Sequence, residues 1–241
     1  MSLLTVVQNA CRAIGQNPPS VVVASSDATV LELYILATKS GQELARQYDW
    51  PELLKEASFS ATSQVNQGNI IGVSASALIS SSDYERMIPD TFWNRTADEK
   101  IIPATDSEWQ QLIASGSAPI TRKFKIIQKQ LHIGPVSGPT AGNLMGFFYR
   151  SNMWCESSAG TAQRSWAADT DRGIIPEQIL ELDLIWRWKQ AKGRQYGEDM
   201  ETAERSINRY VGAAPGRRLL MLGGGSNYGY TTNIPEGNWN Q

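Results

Sequence analysis

Ile174-Ile175-Pro176-Glu177-Gln178-Ile179-Leu180-Glu181-Leu182-Asp183-Leu184-Ile185-Trp186-Arg187-Trp188-Lys189-Gln190-Ala191-Lys192-Gly193 is the stretch on which the fold turns. Pro176 suits a first helical turn, where its missing N–H costs nothing. Ile179, Leu180, Leu182, Leu184, Ile185, Trp186 and Trp188 then leave little polar face before Gly193. A helix apolar on nearly every side must be surrounded, so the segment predicts the most buried helix of the chain. Inside it Asp183 stands one turn before Arg187, the i,i+4 spacing at which an ion pair neutralises a carboxylate. Structural pairing is the default reading of these two residues, and a contact between subunits is the sharper one.

What surrounds that helix is read from both directions along the chain. Downstream, Tyr196, Met200, Ala203, Ile207, Tyr210 and Val211 mark a final amphipathic helix, folded back by a short turn and stopped at Gly212. Far upstream, Leu3 to Ile14 carries Leu3, Val6, Val7, Ala10 and Ile14 on one face, with Gly15 as a stop and a break at Pro18-Pro19. From an Asp27 cap, Val30, Leu33, Tyr34, Ala37, Leu44, Ala45 and Tyr48 follow three-four spacing to an end near Trp50-Pro51.

Between the two helical ends the texture changes. Ser, Ala, Thr, Gly and Asn dominate Ala57 to Ser82, which predicts hairpins with short β-like runs at Ser58 to Thr62 and Asn69 to Val73. A short helix is expected over Ser107 to Ser115, beginning after Asp106. Lys123 to Ile133 alternates around Gln128-Lys129-Gln130 as a hairpin does, and aromatic-rich Leu144 to Trp154 predicts another strand. These readings amount to an α+β chain: a discontinuous helical bundle with a β-rich inserted subdomain and an extended C-terminal arm. Residues 1–51 give the first part of the helical domain, 52–173 the insertion, 174–212 the helical hairpin that completes the domain, and 213–241 the arm. The arm has no helical period, holds six glycines and, after Arg218, carries a single charge at Glu236. Its apolar and aromatic groups need a partner's surface to cover them.

Composition bounds the function. The chain has 241 residues, 22 Lys plus Arg against 24 Asp plus Glu, and a net charge of −2, without the basic excess of proteins that coat nucleic acid. One histidine, His132, and two cysteines, Cys11 and Cys155, cannot assemble a His-rich zinc site or paired CxxC knuckles, so no metal and no cofactor are expected. Gln8 and Asn9 interrupt the apolar start, so no secretory leader is expected and a reducing cytoplasm is the expected place of synthesis. No apolar run approaches the roughly 20 residues of a membrane helix.

Several motifs fail on spacing. Leu219-Leu220-Met221-Leu222-Gly223-Gly224-Gly225 imitates a strand entering a phosphate loop, but no Gly-Lys-Ser/Thr follows, and a hinge is the better reading. Asp169-Thr170-Asp171 opens like a calcium loop, yet Gly173 takes the next ligand position, which leaves a turn before a helix. His132, between Leu131 and Ile133, lacks a nucleophile motif beside it and reads as structural. Asn94-Arg95-Thr96 matches a glycosylation sequon without a secretory context. Pairs of acidic residues that could serve a glycosidase are unspecific among so many carboxylates.

Three stretches in fixed order, Tyr84-Glu85-Arg86-Met87-Ile88-Pro89-Asp90-Thr91-Phe92-Trp93-Asn94-Arg95-Thr96, Ala168-Asp169-Thr170-Asp171 and Leu184-Ile185-Trp186-Arg187-Trp188-Lys189-Gln190-Ala191-Lys192-Gly193, resemble the head-to-tail adaptor (connector) proteins of short-tailed bacteriophages. The likeness runs from about Leu3 to Gly212 and takes in Glu43-Leu44-Ala45-Arg46, Tyr48-Asp49-Trp50 and Leu131-His132-Ile133-Gly134-Pro135. It implies a structural virion protein, not an enzyme, made in the host bacterial cytoplasm. Twelve copies would form a ring between the capsid portal protein and the tail (nozzle or tubular) protein, with genomic DNA passing through unread. A near-neutral chain suits such a channel, because a strongly basic wall would hold DNA back. A ring needs head-to-tail contacts between two different faces, for which Asp183 and Arg187 are the interface candidates. Portal docking is expected of Arg217, Arg218, Leu219, Leu220, Tyr228, Tyr230 and Trp239, in the segment least able to satisfy itself. Because some such adaptors are linked with peptidoglycan cleavage, a hydrolase acting during genome entry is the second reading. Another tail-completion ring protein is the third.

Overall fold

Ser2 and Gly15 bracket the first helix as their chemistry demands: the Ser2 hydroxyl accepts from the Thr5 N–H, and Gly15 takes a left-handed φ of 74° after the last turn. In the computed structural model, which describes residues 2–72, 78–79, 83–116, 119, 121–134 and 136–213, five α-helices and several sheets make an α+β chain. The helices are α1 (Leu3–Ile14), α2 (Ala28–Gln47), α3 (Asp106–Ser115), α4 (Glu177–Ala191) and α5 (Gly197–Ala213). The strands are β1 (Leu54–Ser60), β2 (Asn66–Asn69), β3 (Arg86–Met87), β4 (Trp93–Asn94), β5 (Glu99–Lys100), β6 (Ile102–Pro103), β7 (Lys123–Ile127), β8 (Gln130–Ile133), β9 (Leu144–Arg150), β10 (Cys155–Glu156), β11 (Ala162–Gln163) and β12 (Arg172–Gly173). No helix among the described residues is long and apolar enough to cross a membrane.

Helix α4 packs against α1, α2 and α5, as its apolar circumference predicts. Leu3, Val7, Leu33, Leu44, Trp50, Leu184, Trp188 and Ile207 are buried in one apolar cluster, which Leu53, Trp154, Cys155 and Trp166 join from between the two helical ends. Three boundary expectations shift. Pro176 caps α4 and Glu177 opens it. Helix α2 starts at the Asp27 cap but ends at Gln47, because Pro51 disfavours helical backbone before it, and Trp50 folds back with its indole N–H donating to the Leu44 carbonyl at 2.7 Å. Gly212 lies within the last turn of α5 and does not stop it; buried Val211 anchors that turn, and a lone helical glycine costs only about 1 kcal/mol.

The second apolar cluster is built from the middle of the chain, around Phe92, whose ring meets Phe124 and Phe147 edge-on at 5.1 and 5.5 Å. Its main sheet has β9 at the centre, with β1 on one side and β3 and β4 on the other, β5 continuing beyond β4. A four-stranded sheet runs β2-β8-β7-β6, with β6 and β7 parallel, and a small sheet runs β11-β10-β12. The hairpins expected over Ala57 to Ser82 are not found among the described residues of that stretch. Strand β1 pairs along its whole length with β9, Leu54 opposite Arg150 and Ser60 opposite Leu144, while β2 pairs with β8. Both strands lie slightly upstream of the runs read from sequence.

The hairpin over Lys123 to Ile133 is present as β7 and β8. Gln128 and Lys129 form its turn, both left-handed with φ of 50° and 65°, the geometry that matches a two-residue turn to the strand twist. Thr105, not Asp106, caps α3: its hydroxyl accepts from the Glu108 N–H at 3.2 Å while the Glu108 carboxylate accepts from the Thr105 N–H at 3.0 Å. The strand expected to reach Trp154 stops at Arg150. Trp154 turns into the helical cluster, perpendicular to Trp166 at 4.8 Å, and lies flat against Gly41 of α2.

Candidate functional site

Asp183 is the best-connected buried charge of the helical layer. At 3% exposure it accepts from the Ser40 hydroxyl at 2.5 Å, the Trp186 indole N–H at 2.8 Å and the Arg187 Nε at 2.6 Å. Arg187 reaches on to Glu43 at 2.7 Å, and its guanidinium lies over the Trp186 ring. The i,i+4 pair expected from sequence is therefore present. The group locks α4 onto α2, because a buried carboxylate stripped of its partners costs about 3 to 5 kcal/mol.

A second buried carboxylate, Asp83, carries no sequence signal that would have found it. It accepts from the Lys55 ammonium at 2.5 Å, from the Ser151 hydroxyl, and from the Tyr149 hydroxyl at 3.5 Å. Burial, and then the Asp83 charge, push the Tyr149 hydroxyl up to about 12. Ser151 has no exposed surface and its hydroxyl is committed to Asp83, so the serine and lysine here tie β1 to the end of β9 and form no accessible nucleophile.

Asp169 and Asp171 work as backbone clamps, in keeping with a turn before a helix. The Asp169 carboxylate accepts from the Val22 and Val23 N–H groups at 3.1 and 2.8 Å, and the Asp171 carboxylate from those of Ala167 and Ala168. Their carbonyls accept from the Leu3 and Leu4 N–H groups, donors that the first turn of α1 would otherwise leave unpaired. His132 is half-buried on β8, edge-on to Trp109, with Nδ1 3.3 Å from the Gln130 carbonyl. Asn94 is buried and accepts from the Thr96 and Ala97 N–H groups in a turn. Cys11 and Cys155 are free and buried; burial and then the Asp171 charge push the Cys155 thiol up to about 12.

Two surface clefts are formed among the described residues. One of about 580 Å³ is open and lined by Thr62, Gln64, Val65, Asn66, Gln67, Gly68 and His132. The other, about 210 Å³, lies between the C-terminal half of α2 and the segment after β9, lined by Gln42, Ala45, Arg46, Asn152, Trp154 and Arg164. Neither wall contains a carboxylate. The second brings together two arginines 118 positions apart in the chain, a juxtaposition with no local sequence mark.

The arm residues Arg217, Arg218, Leu219, Leu220, Tyr228, Tyr230 and Trp239 lie outside the described residues, as does the glycine run at 223–225. The described chain ends just past Tyr210, which packs on Trp50 at 5.9 Å and donates its hydroxyl proton to Glu52. Compared with known proteins, the chain matches no family model and no curated protein sequence.

Proposed function

We propose that this protein is a structural virion component, a head-to-tail adaptor of a short-tailed phage that assembles as a ring between portal and tail. In this reading the helical segments 1–51 and 174–212 form one domain, 52–173 is its β-rich insertion, and the arm of 213–241 clasps the portal through the residues named above. The genome passes through the ring, and the work is mechanical. One observation carries the reading: the three stretches that bear the resemblance each do a fold-defining job. Residues 84–96 supply β3 and β4 alongside β9, 168–171 clamp the start of α1, and 184–193 form the C-terminal half of α4 and its cap. Likeness at such positions is what a shared architecture would leave. The second apolar cluster is drawn wholly from within 52–173, which supports an inserted unit, while Leu53, Trp154, Cys155 and Trp166 of that span pack into the first cluster with the helices.

Sedimentation velocity of the full chain, alone and mixed with a short-tailed phage portal ring, tests the proposal. Co-migration in one larger species, lost on deletion of 213–241, is the expected result. A full-length protein that ignores the portal removes the docking claim. Clearing of purified peptidoglycan that a single carboxylate substitution abolishes would favour the hydrolase instead.

A further inference from the structure

The cleft beside α2 is a local basic site on a chain of net charge −2. The Arg164 Nε donates to the Asn152 amide oxygen at 3.0 Å, which fixes the plane of the guanidinium, and no carboxylate pairs with it among the described residues. The Arg46 side chain is 68% exposed and pairs with Glu85, its Nε 3.5 Å from the carboxylate. Two guanidinium forks with spare N–H donors, walled by Gln42 and Asn152, are built to take a carboxylate in bidentate fashion. At about 210 Å³ the cleft is below the size of small-molecule pockets and suits one or two side-chain groups.

The complementary group is on the same chain but at the other end of the helical layer. The N-terminal end of α5 presents Glu198 and Glu201 to solvent, and Met200 is exposed as well. Glu198 has no ion-pair partner among the described residues, and Glu201 has only a 3.9 Å contact with the equally exposed Arg205. Asp199, by contrast, is held by Lys189 at 2.5 Å, and Lys192 ties the end of α4 to Glu32 of α2 at 2.6 Å. The acidic turn thus belongs at the Glu32 end of α2, and the cleft at the Arg46 end, about 21 Å away at 1.5 Å per residue. A chain cannot bring its own two patches together across that span, but a second copy can. Two different surfaces that complement each other make a heterologous contact, the kind that closes into rings.

We infer that the Arg46–Arg164 cleft of one copy receives the Glu198–Glu201 turn of the next copy, so that this contact propagates the ring. The inference rests on the ring reading above and names its surfaces.

A charge swap tests it. One variant carries R46E and R164E, the other E198R and E201R, and thermal unfolding confirms that both fold. Sedimentation velocity over a concentration series, with and without the portal ring, is expected to show self-association weakened at least about tenfold in each variant alone, because like charges then face each other. An equimolar mixture restores association, since each reversed surface now meets its opposite in the other variant. If both variants assemble as the unmodified chain does, this contact is overturned while the ring stands. Loss in each variant without recovery in the mixture also overturns it. If the unmodified chain forms no oligomer under any of these conditions, the ring reading itself falls and takes the contact with it.

Discussion

Trp154 occupies the space that a side chain on Gly41 would need: a Cβ there would stand 2.3 Å from the indole ring. A glycine in the middle of α2 is costly for the helix, by about 0.5 to 1 kcal/mol against alanine, and this contact explains its presence. The prediction is that G41A destabilises the protein in spite of its better helix propensity, by about 1 to 3 kcal/mol net in denaturant unfolding, through overpacking. A G41A protein more stable than the parent would mean that Trp154 is not seated there.

The Asp183 group predicts a graded series. D183A strands Arg187 and Ser40 and should cost about 3 to 5 kcal/mol, whereas S40A removes one hydrogen bond and should cost about 1 kcal/mol. Urea unfolding of the single variants and of the D183A/S40A double variant checks the order. Full additivity would show that the two side chains are not in contact.

Asp169 clamps the Val22 and Val23 amides, so D169A should loosen the N-terminal segment before anything else. Hydrogen exchange is expected to accelerate at Val22, Val23 and the first turn of α1, while the amides of β7, β8 and β9 keep their protection. Uniform acceleration across both regions would contradict a local role.

Stability should decline in alkali. The Cys155 thiol and the Tyr149 and Tyr210 hydroxyls are each pushed up to about 12, the first two chiefly by burial and Tyr210 by its hydrogen bond to Glu52. A raised acid stays protonated in the folded chain after it has ionised in the unfolded one. The stabilisation is therefore complete below the unfolded values, 9 for the thiol and 10 for the tyrosines, and is lost as pH rises toward 12. Unfolding free energy measured from pH 8 to 11 should fall, starting near 9, and C155A should make the fall shallower without abolishing it, because burial also raises the Cys11 thiol. Over the same range native Cys155 should resist alkylation until the chain unfolds.

Capping of α3 is the most local test. T105A removes one half of a reciprocal pair and should cost about 1 kcal/mol, with E108Q milder, because glutamine still accepts from the Thr105 N–H. Equal losses would point to the charge of Glu108, which also meets Lys123 at 3.0 Å, as the larger contribution.

What was legible in the sequence was local. Helix α1 is marked by its apolar face and Gly15, the β7–β8 hairpin by alternation about Gln128-Lys129, and the Asp183–Arg187 pair by spacing alone. What was not legible joins residues far apart. The β-like run read at Ser58 to Thr62 overlaps β1 but says nothing of β9 as its partner, and an aromatic residue such as Trp154 reads equally well in a strand or in a helical core. Asp83 with Ser151, and Arg46 with Arg164, meet only because the chain has folded, so the polar node and the basic cleft had no pattern to betray them.

The helical core is drawn from the two ends of the chain, and that arrangement sets a timetable for biosynthesis. Leu33, Leu44 and Trp50 leave the ribosome roughly 130 residues before Leu180 and Leu184, which cover them. At elongation rates of about 5 to 20 residues per second that is a wait on the order of ten seconds, during which the β-rich middle can pair its own strands. Through that interval the apolar faces of the first two helices lack the cover of α4, the helix against which both pack.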